Sequence, residues 1–556
     1  MKYKFSLTAL LILLTAFLAV PFVSGSTENV SVLIQANSVD TAVSIVEAYG
    51  GELNEQLAII NAVSATVPEH VLAAIAADER TIAIHEDDAV KTAGITEGRR
   101  STRLDATFPE VMGVDEVWAE RIKGQHIGVA IVDTGIARTG WSSRRIIARY
   151  DALDEGSRVR DPNGHGTMMA SLIGNSTKDL DGFSGIAPRV RFIDVRALDA
   201  EGKGTYTDII EGLNWILENK DEYNIRVVNL SLLGGISTPY WADPINQAVE
   251  MLWDAGIVVV AAAGNEGPDP MTIAAPGNDP FVITVGAFTD NYTPDDPSDD
   301  YIAPFSGAGP TEVGFVKPDV VAPGAHMLTY APRKSAWAQD NRDLRVRGNY
   351  YEIAGTSSAT AVTSGLIALM IQENPDMTPN EVKYALMASA QPAAYEDGTL
   401  AWSIFQQGAG RVWAPDAVLN PAEGEANAGM IPGEPYVGPV VNRDGEFILV
   451  DENGEPVAGT EGYSWVGGYS WVGGYSWVGG YSWVGGYSWV GGYSWVGSTD
   501  WDEWTQEDVW QSGYSWVGGY SWVGGYSWVG GYSWVGGYSW VGGYSWVGVG
   551  LTDFAE

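Results

Sequence analysis

The stretch spanning residues 350–375 constrains the chain most. Tyr350-Tyr351-Glu352-Ile353-Ala354 is strand-like, and Gly355-Thr356-Ser357-Ser358-Ala359 follows it directly. An apolar run comes next, with Ala361, Val362, Leu366, Ile367, Leu369 and Met370, and it stops at Asn374-Pro375. The run is apolar on nearly all sides, so it predicts a buried helix, not one lying on a surface. A chain of 556 residues is long enough to enclose such a helix and to hold more than one domain. Gly355 allows a tight approach and sets Ser357 at the helix start. The free N–H groups and partial positive charge there suit a nucleophile whose attack creates an oxyanion. Taken alone, a helix cap is the simpler reading of Thr356 or Ser357.

The charge balance is strongly acidic, with 31 Lys+Arg against 70 Asp+Glu and a net charge of −39. Such a surface repels nucleic acid and anionic membrane, so neither is expected as a partner. There is no cysteine, so no disulfide staples the fold and no thiolate serves as nucleophile or metal ligand. Residues 1–25 read as a signal peptide: Lys2 and Lys4, an apolar core over residues 7–20, then Val23-Ser24-Gly25. Secretion is the expectation, since the apolar run is short for a membrane span.

Residues 26–95 are expected to form one small domain. Strand patterns over 30–34, 58–67 and 81–84 alternate with helical spacing over 39–49 and 69–77. The order suggests a ferredoxin-like α+β sandwich, provided that residues 52–57 supply a short strand or 58–67 splits in two. A polar segment over 94–103 reads as a linker. From 107 to 420 strands and helices alternate. Residues 125–132, 191–196, 226–232, 257–263 and 281–287 are apolar enough for a parallel sheet buried on both faces. The spacing predicts helices over 207–217, from Asp243-Pro244 to Ala255-Gly256, and from the capping box Thr378-Pro379-Asn380-Glu381. This is an α/β domain of the doubly wound kind, with a mostly parallel sheet. Residues 421–461, rich in Gly, Pro and acid, read as a linker. The sequence Gly-Tyr-Ser-Trp-Val-Gly then repeats through 462–548, interrupted by a charged spacer at 498–512.

Three polar residues stand at glycine-flanked element ends and change the reading of Ser357. Val132-Asp133-Thr134-Gly135 puts an acid at the carboxyl end of a buried strand, the edge where open α/β sheets carry their sites. Asn163-Gly164-His165-Gly166-Thr167 puts a histidine at the head of a short helix, and Gly264-Asn265 follows another strand. A serine hydroxyl is a weak nucleophile until a base takes its proton, and His165 suits that task. Asp133 would hold the imidazole tautomer and stabilise its charged form. Asn265 would donate to the oxyanion together with the Ser357 backbone N–H. Singly, each has a structural reading as cap or satisfied polar residue. The joint order Asp, His, Ser argues for chemistry.

These stretches resemble the subtilases, the subtilisin-like serine endopeptidases. Val132-Asp133-Thr134-Gly135, His165-Gly166-Thr167, Ala263-Gly264-Asn265 and Gly355-Thr356-Ser357 with Ala359 match that family's signatures. Asn229-Leu230-Ser231-Leu232, Phe305-Ser306 with Gly309-Pro310, and Lys317-Pro318-Asp319-Val320-Val321-Ala322-Pro323-Gly324 do so too. The resemblance covers 107–418, and residues 30–92 are similar to the family's inhibitory prodomain. It implies a self-processing zymogen that acts on protein or peptide substrates and needs no cofactor for chemistry. The prodomain, residues 26 to about 95, would be an inhibitor, its end near Val90 lying in the cleft as first product. By the same resemblance Ser231, Leu232 and Leu233 would pair with the substrate backbone. Ala262, Ala263 and Gly264 would wall a pocket roomy enough for a large apolar side chain.

The chain departs from the family pattern in places. Ala361 stands where Pro is usual, Met168-Met169 replaces His-Val, and Leu233 sits where Gly is common. These bear on substrate preference more than on catalysis. Structural calcium, common in the family, would fall to Asp179 and Asp181, although a solvated loop explains both residues more simply. In the tail, Tyr-Ser-Trp-Val strands with Gly-Gly turns would give a meander in which Val faces Tyr and Trp faces Ser. Exposed Trp and Tyr would suit stacking on sugars or a cell surface, and a surface-binding protein acting through these repeats is the alternative function. A flexible linker-like tail fits the composition equally.

Overall fold

Strands that are apolar on both faces need helices to cover them, and the computed structural model of the chain meets that need. It describes residues 29–94, 106–153, 161–177, 185–395, 400–443, 446–451, 454–457, 527–528 and 532–533. The signal-peptide reading, Asp179 and Asp181, and nearly all of the repeats lie outside these residues. The chain divides into two units, residues 1–87 and 88–556.

The first unit runs β1 (Asn29–Ala36), α1 (Val39–Ala48), β2 (Glu52–Leu57), β3 (Ala62–Pro68), α2 (Leu72–Ala76) and β4 (Thr81–Glu86). Its antiparallel sheet has the order β2-β3-β1-β4. Ser38 caps α1 by accepting from the Thr41 N–H, and Ile34, Ile45, Val63 and Ile75 are fully buried in one cluster. The stretch over 58–67 is not one strand: residues Ala58–Ile60 make a single 3-10 turn, ended by Asn61 in the left-handed region at φ 54°. The extra strand comes instead from 52–57, whose mostly exposed polar side chains pair along β3.

The second unit opens with β5 (Ala89–Thr92), so this strand belongs with the larger unit and not with residues 29–87. The central strands are β6 (Gly128–Asp133), β7 (Ile146–Asp151), β8 (Arg191–Arg196), β10 (Ile225–Leu230), β12 (Val258–Ala262), β13 (Ile283–Thr289), β14 (Tyr301–Ile302) and β15 (Val320–Pro323). They form one sheet in the order β14-β13-β12-β10-β6-β8-β7, with β15 also on β13. All of its pairings are parallel except β13 with β14. The chain leaves β6 toward one edge and returns past it toward the other, so the end of β6 is a topological switch point.

Two short strands, β9 (Lys203–Thr205) and β11 (Leu232–Gly234), flank β5 in a separate antiparallel sheet. Helices α3 (His165–Gly174) and α6 (Thr356–Glu373) pack on each other and on the central sheet. Helices α4 (Tyr206–Tyr223) and α5 (Pro244–Asp254) make a second packed pair. Every residue of α6 from Thr356 to Ile371 is buried, as its all-round apolar sequence requires. Each fully buried Leu or Ile there contributes about 1.5–3 kcal/mol relative to exposure. Two further helices, α7 (Pro379–Ala388) and the short stretch Ile404–Gln407, lead to the C-terminal part.

Within the stretch expected as a linker, 421–461, the described residues include packed strands. Residues 438–443 and 446–449 pack within the larger unit and include a pair of antiparallel strands, β16 (Val440–Arg443) and β17 (Glu446–Leu449). The Gly438 and Val440 N–H groups donate to Val313 O (2.7 Å) and Gly314 O (3.0 Å). Val440 and Phe447 join Phe405 in a buried cluster. Upstream, Gly433 N–H donates to the Glu250 carboxylate and Tyr436 N–H to the Tyr240 hydroxyl (2.9 Å). Of the repeats, two strand pieces are described, Ser527–Trp528 and Tyr532–Ser533. They pair antiparallel with Trp528 opposite Tyr532 and Ser527 opposite Ser533, one residue out of the expected register.

Candidate active site

The three sheet and helix ends that the sequence singled out converge. Asp133 closes β6, and His165 opens α3. His165 Nδ1 lies 2.9 Å from both Asp133 Oδ1 and Oδ2. Both side chains are buried. Asp133 Oδ1 also accepts from the Thr134 N–H at 2.7 Å, which fixes the carboxylate plane. The His-Gly step has a steric cause: a Cβ on Gly166 would sit 2.2 Å from Gly135 O, so α3 meets the end of β6 backbone to backbone.

A residue absent from the sequence reading holds this joint together. Asp161, fully enclosed, accepts from Thr134 Oγ1 (2.8 Å), Gly164 N (2.6 Å), and the Thr167 N (2.9 Å) and Oγ1. Thr134 Oγ1 in turn accepts from Gly166 N at 3.0 Å. One carboxylate thus ties the end of β6 to the head of α3. Burial pushes its carboxyl up, opposed by the hydrogen bonds from Thr167, Gly164 and Thr134. Asp161-Pro162-Asn163-Gly164 carries only a turn signal in the sequence.

Ser357 lies in the first turn of α6, and no side chain caps that helix, so the capping reading of Thr356 and Ser357 falls away. Gly355 has φ 147° and stands as the N-cap. Asn265 follows β12 and uses both ends of its amide. Its Oδ1 accepts from Thr356 N and Thr356 Oγ1, each at 2.9 Å, and its Nδ2 donates to Ala93 O. Ser231 Oγ donates to Ser357 O (3.0 Å) and accepts from Asn229 Nδ2 (2.9 Å), and Ser364 Oγ donates to Asn229 Oδ1 (3.0 Å). This chain of polar contacts anchors the start of α6 to the end of β10.

The cleft formed by these residues is filled by the chain itself. β5 lies antiparallel between β9 and β11, with Thr92 opposite Leu232, Lys91 opposite Leu233 and Val90 opposite Gly234. Ala93 N donates to Ser231 O at 3.0 Å, and Thr92 N to Gly202 O at 3.0 Å. The Ala93 side chain is enclosed with Leu233, Ala262 and Ala274. A Cβ built on Gly94 would lie 3.2 Å from His165 Cδ2 and 3.4 Å from Nε2. One built on Gly355 would lie 2.7 Å from Ala93 O, 3.0 Å from Ser357 Oγ and 3.3 Å from Gly94 Cα. The Ala93–Gly94 peptide therefore sits beside the serine oxygen and the imidazole. Ser357 Oγ and His165 Nε2 are both buried without a hydrogen-bond partner.

Of the residues expected to hold substrate, Ser231, Leu232 and Leu233 run beside β5, and Ala262 touches Ala93. Ala263 accepts from Ala274 N at 3.0 Å, and Gly264 carries φ 113° next to Asn265. Strand β9 on the other side of β5 and Ala274 packed beside Ala93, Leu233 and Ala262 were not foreseen. Lys203-Gly204-Thr205 has no apolar alternation, and its strand character comes from its partner. Among the described residues no group of three or more His, Asp or Glu side chains is placed to hold a metal.

The Subtilase family model matches residues 124–410, just over half of the chain. The serine protease AprX of Bacillus subtilis is 40% identical over 307 residues, covering 54% of this chain and 67% of that protein. The extracellular serine proteinase of a Thermus species is 32% identical over 336 residues, 60% of this chain and 72% of the other. Among solved structures, fervidolysin from Fervidobacterium pennivorans, described as a keratinolytic enzyme related to subtilisin, superposes with a TM-score of 0.58 at 22% identity. That match takes in 71% of this chain and 62% of the other, and it speaks to the fold alone. Matched by the family model across its catalytic core, and with an acid, a histidine, a serine and an amide converging on one peptide bond, the chain belongs to the subtilases and is a serine-type endopeptidase.

Proposed function

We propose that the protein is a secreted endopeptidase made as a zymogen, and that its first substrate is its own Ala93–Gly94 bond. The observation that carries this reading is the segment 89–94, whose residues 89–92 form an extended strand, with Ala93 O on Asn265 and Gly94 against His165.

Each side chain then has one task. Ser357 Oγ attacks the Ala93 carbonyl carbon while its proton passes to His165 Nε2. Asp133 orients the ring through Nδ1 and stabilises the imidazolium. The oxygen of Ala93 becomes negative and is met by Asn265 Nδ2 and the Ser357 N–H. When the tetrahedral species collapses, the carbon–nitrogen bond breaks and His165 returns the proton to the Gly94 nitrogen. Water, deprotonated by His165, then attacks the ester carbon; the bond to Ser357 Oγ breaks, His165 returns the proton to that oxygen, and Ala93 leaves as a carboxylate. On other proteins the same groove takes a substrate strand between β9 and β11, with a side-chain pocket bounded by Leu233, Ala262, Ala263, Gly264 and Ala274. The residues ahead of the cut would stay bound until removed, which makes the N-terminal segment an inhibitor of the enzyme it precedes.

The test is processing of a Ser357→Ala chain beside the native one. Native protein should yield a mature N-terminus at Gly94 and a released fragment that inhibits in trans, and the variant should remain uncut and inactive. A native N-terminus still upstream of residue 88 in fully active protein, or normal processing of the variant, would overturn the reading.

A further inference from the structure

We propose that the C-terminal hairpin β16–β17 is a positioning element for the substrate side-chain pocket, acting through Phe447, Phe405 and Met271. This rests on the reading of Ala262 and Ala274 as walls of that pocket. The loop that carries Ala274 leaves Asn265 and passes through Met271 and Thr272. Met271 has φ 60°, a left-handed conformation that a long side chain rarely adopts and that persists only where its surroundings hold it. Two things hold it here. Its N–H donates to Gly309 O (3.3 Å), and Gly309 N–H in turn donates to Phe405 O (2.9 Å). Its side chain packs on the cluster of Phe405, Val440 and Phe447.

The rings of Phe405 and Phe447 meet edge to face, with centroids 6.4 Å apart. The hairpin itself is set tightly. A Cβ on Gly438 would lie 2.1 Å from Gly314 O, so backbone docks on backbone with no slack. On the far side of Met271, Thr272 N donates to Ala308 O (2.9 Å) and Ala274 N to Ala263 O (3.0 Å). A shift of Met271 therefore carries to Ala274, three residues on, and to the enclosure around Ala93. The hairpin lies outside the stretch matched by the family model, so this coupling is a property of this chain's own extension.

The experiment compares matured native protein, its C-terminal hairpin intact, with Phe447→Ala, Phe447→Leu, Ala274→Val and, as a core control in α7, Leu386→Ala. Active sites are titrated with a serine-directed phosphonate. Per titrated site, KM and kcat are then measured on two peptide p-nitroanilides that differ only in Ala or Phe before the cut. Phe447→Ala should change the Phe-to-Ala ratio of kcat/KM several-fold, mainly through KM. Phe447→Leu should restore most of it. Leu386→Ala should lower the melting temperature and leave the ratio alone. If Phe447→Ala yields no folded protein, Val440→Ala opens a smaller gap in the same cluster and replaces it. A ratio moved by Ala274→Val but not by Phe447→Ala or Val440→Ala overturns the proposal and keeps the pocket. A ratio moved by none of them overturns the pocket assignment and the proposal with it.

Discussion

Replacing Asn265 with alanine tests the proposed oxyanion site most directly, because the side chain has two separable functions. Its Nδ2 donates to Ala93 O, the atom on which negative charge would develop. Its Oδ1 accepts from Thr356 N and Oγ1 at 2.9 Å. Losing the donor should cost about 2.7–4 kcal/mol of transition-state stabilisation, roughly 10²–10³ in kcat, the range known for a side-chain oxyanion donor in a subtilisin. KM should move little, since the donor matters most once charge has built up. Losing the acceptor leaves the Thr356 N–H without its partner, while Thr356 Oγ1 keeps Gly264 O at 3.2 Å. That second loss should lower stability by about 1–3 kcal/mol and should be independent of substrate.

Asn265→Asp separates the two, because its carboxylate still accepts from Thr356 but places negative charge beside the oxyanion. It should melt near the native temperature and turn over no faster than the alanine variant. The assay is kcat and KM per titrated active site on a peptide p-nitroanilide, with self-processing followed on gels. Both rates should fall by similar factors, since both reactions would use one oxyanion site. A kcat for Asn265→Ala within about threefold of native would remove Asn265 from the chemistry, being far short of the loss expected for such a donor.

Two further expectations concern pH. His85 on β4 has a wholly enclosed Nε2 without a partner, and burial pushes its pKa down to about 4. A folded-state value below the unfolded one, ~6.5, means stability present above that pH and lost as pH falls toward 4. In the uncut Ser357→Ala chain, acidification should cost the N-terminal unit up to about 3 kcal/mol, and His85→Gln should flatten that dependence. Melting curves from pH 7 to pH 4 that are the same for both chains would refute it. Glu250, buried under Gly433, is pushed up to about 9, first by burial and then by the Asp279 charge. Its folded value lies above the unfolded one, so its contribution is complete in acid and lost as pH rises through 9. Glu250→Gln keeps an acceptor for the Gly433 N–H and should raise the melting temperature at pH 8–10 but not near pH 4. An equal shift at both ends would show that ionisation is not the cause.

The parts that could be read in advance are those where local pattern and tertiary setting agree. Helix α6 is apolar on all sides and is buried throughout. The strands of the central sheet are apolar runs because both of their faces are covered. The capping box at Thr378 and the Asp243 cap mark helix starts by chemistry that needs no distant partner, whereas the box at Thr205, which starts the helix expected over 207–217, was not foreseen. What stayed hidden depends on residues far apart in the chain. Asp161 acquires its importance from Thr134 and Thr167, and β9 is a strand only because β5 lies against it. The hairpin after Gly438 carries a local signal, Val440-Val441 and Phe447-Ile448-Leu449 around Asp444-Gly445, but its docking depends on Phe405, Met271 and Val316, which pack with Val440 and Phe447. A surrounding composition rich in Gly, Pro and acid concealed it.

Strand β5 also sets a condition on anything that takes its place. It is paired along both edges, and of its side chains and the next only Val90 and Ala93 are buried, while Ala89 and Lys91 face solvent. On the proposed reading, the groove would read the conformation of a substrate more than its sequence. A guest would have to present some five consecutive residues fully extended, with the hydrogen-bonding groups of both edges unclaimed. A helix, or a strand already inside a sheet, cannot do so without first leaving its own structure. Cleavage of folded proteins by such a groove should follow their free energy of local opening, site by site. A tightly folded neighbour would survive beside this enzyme for as long as its loops stay closed, and the same polypeptide would be degraded once heat or damage loosens it.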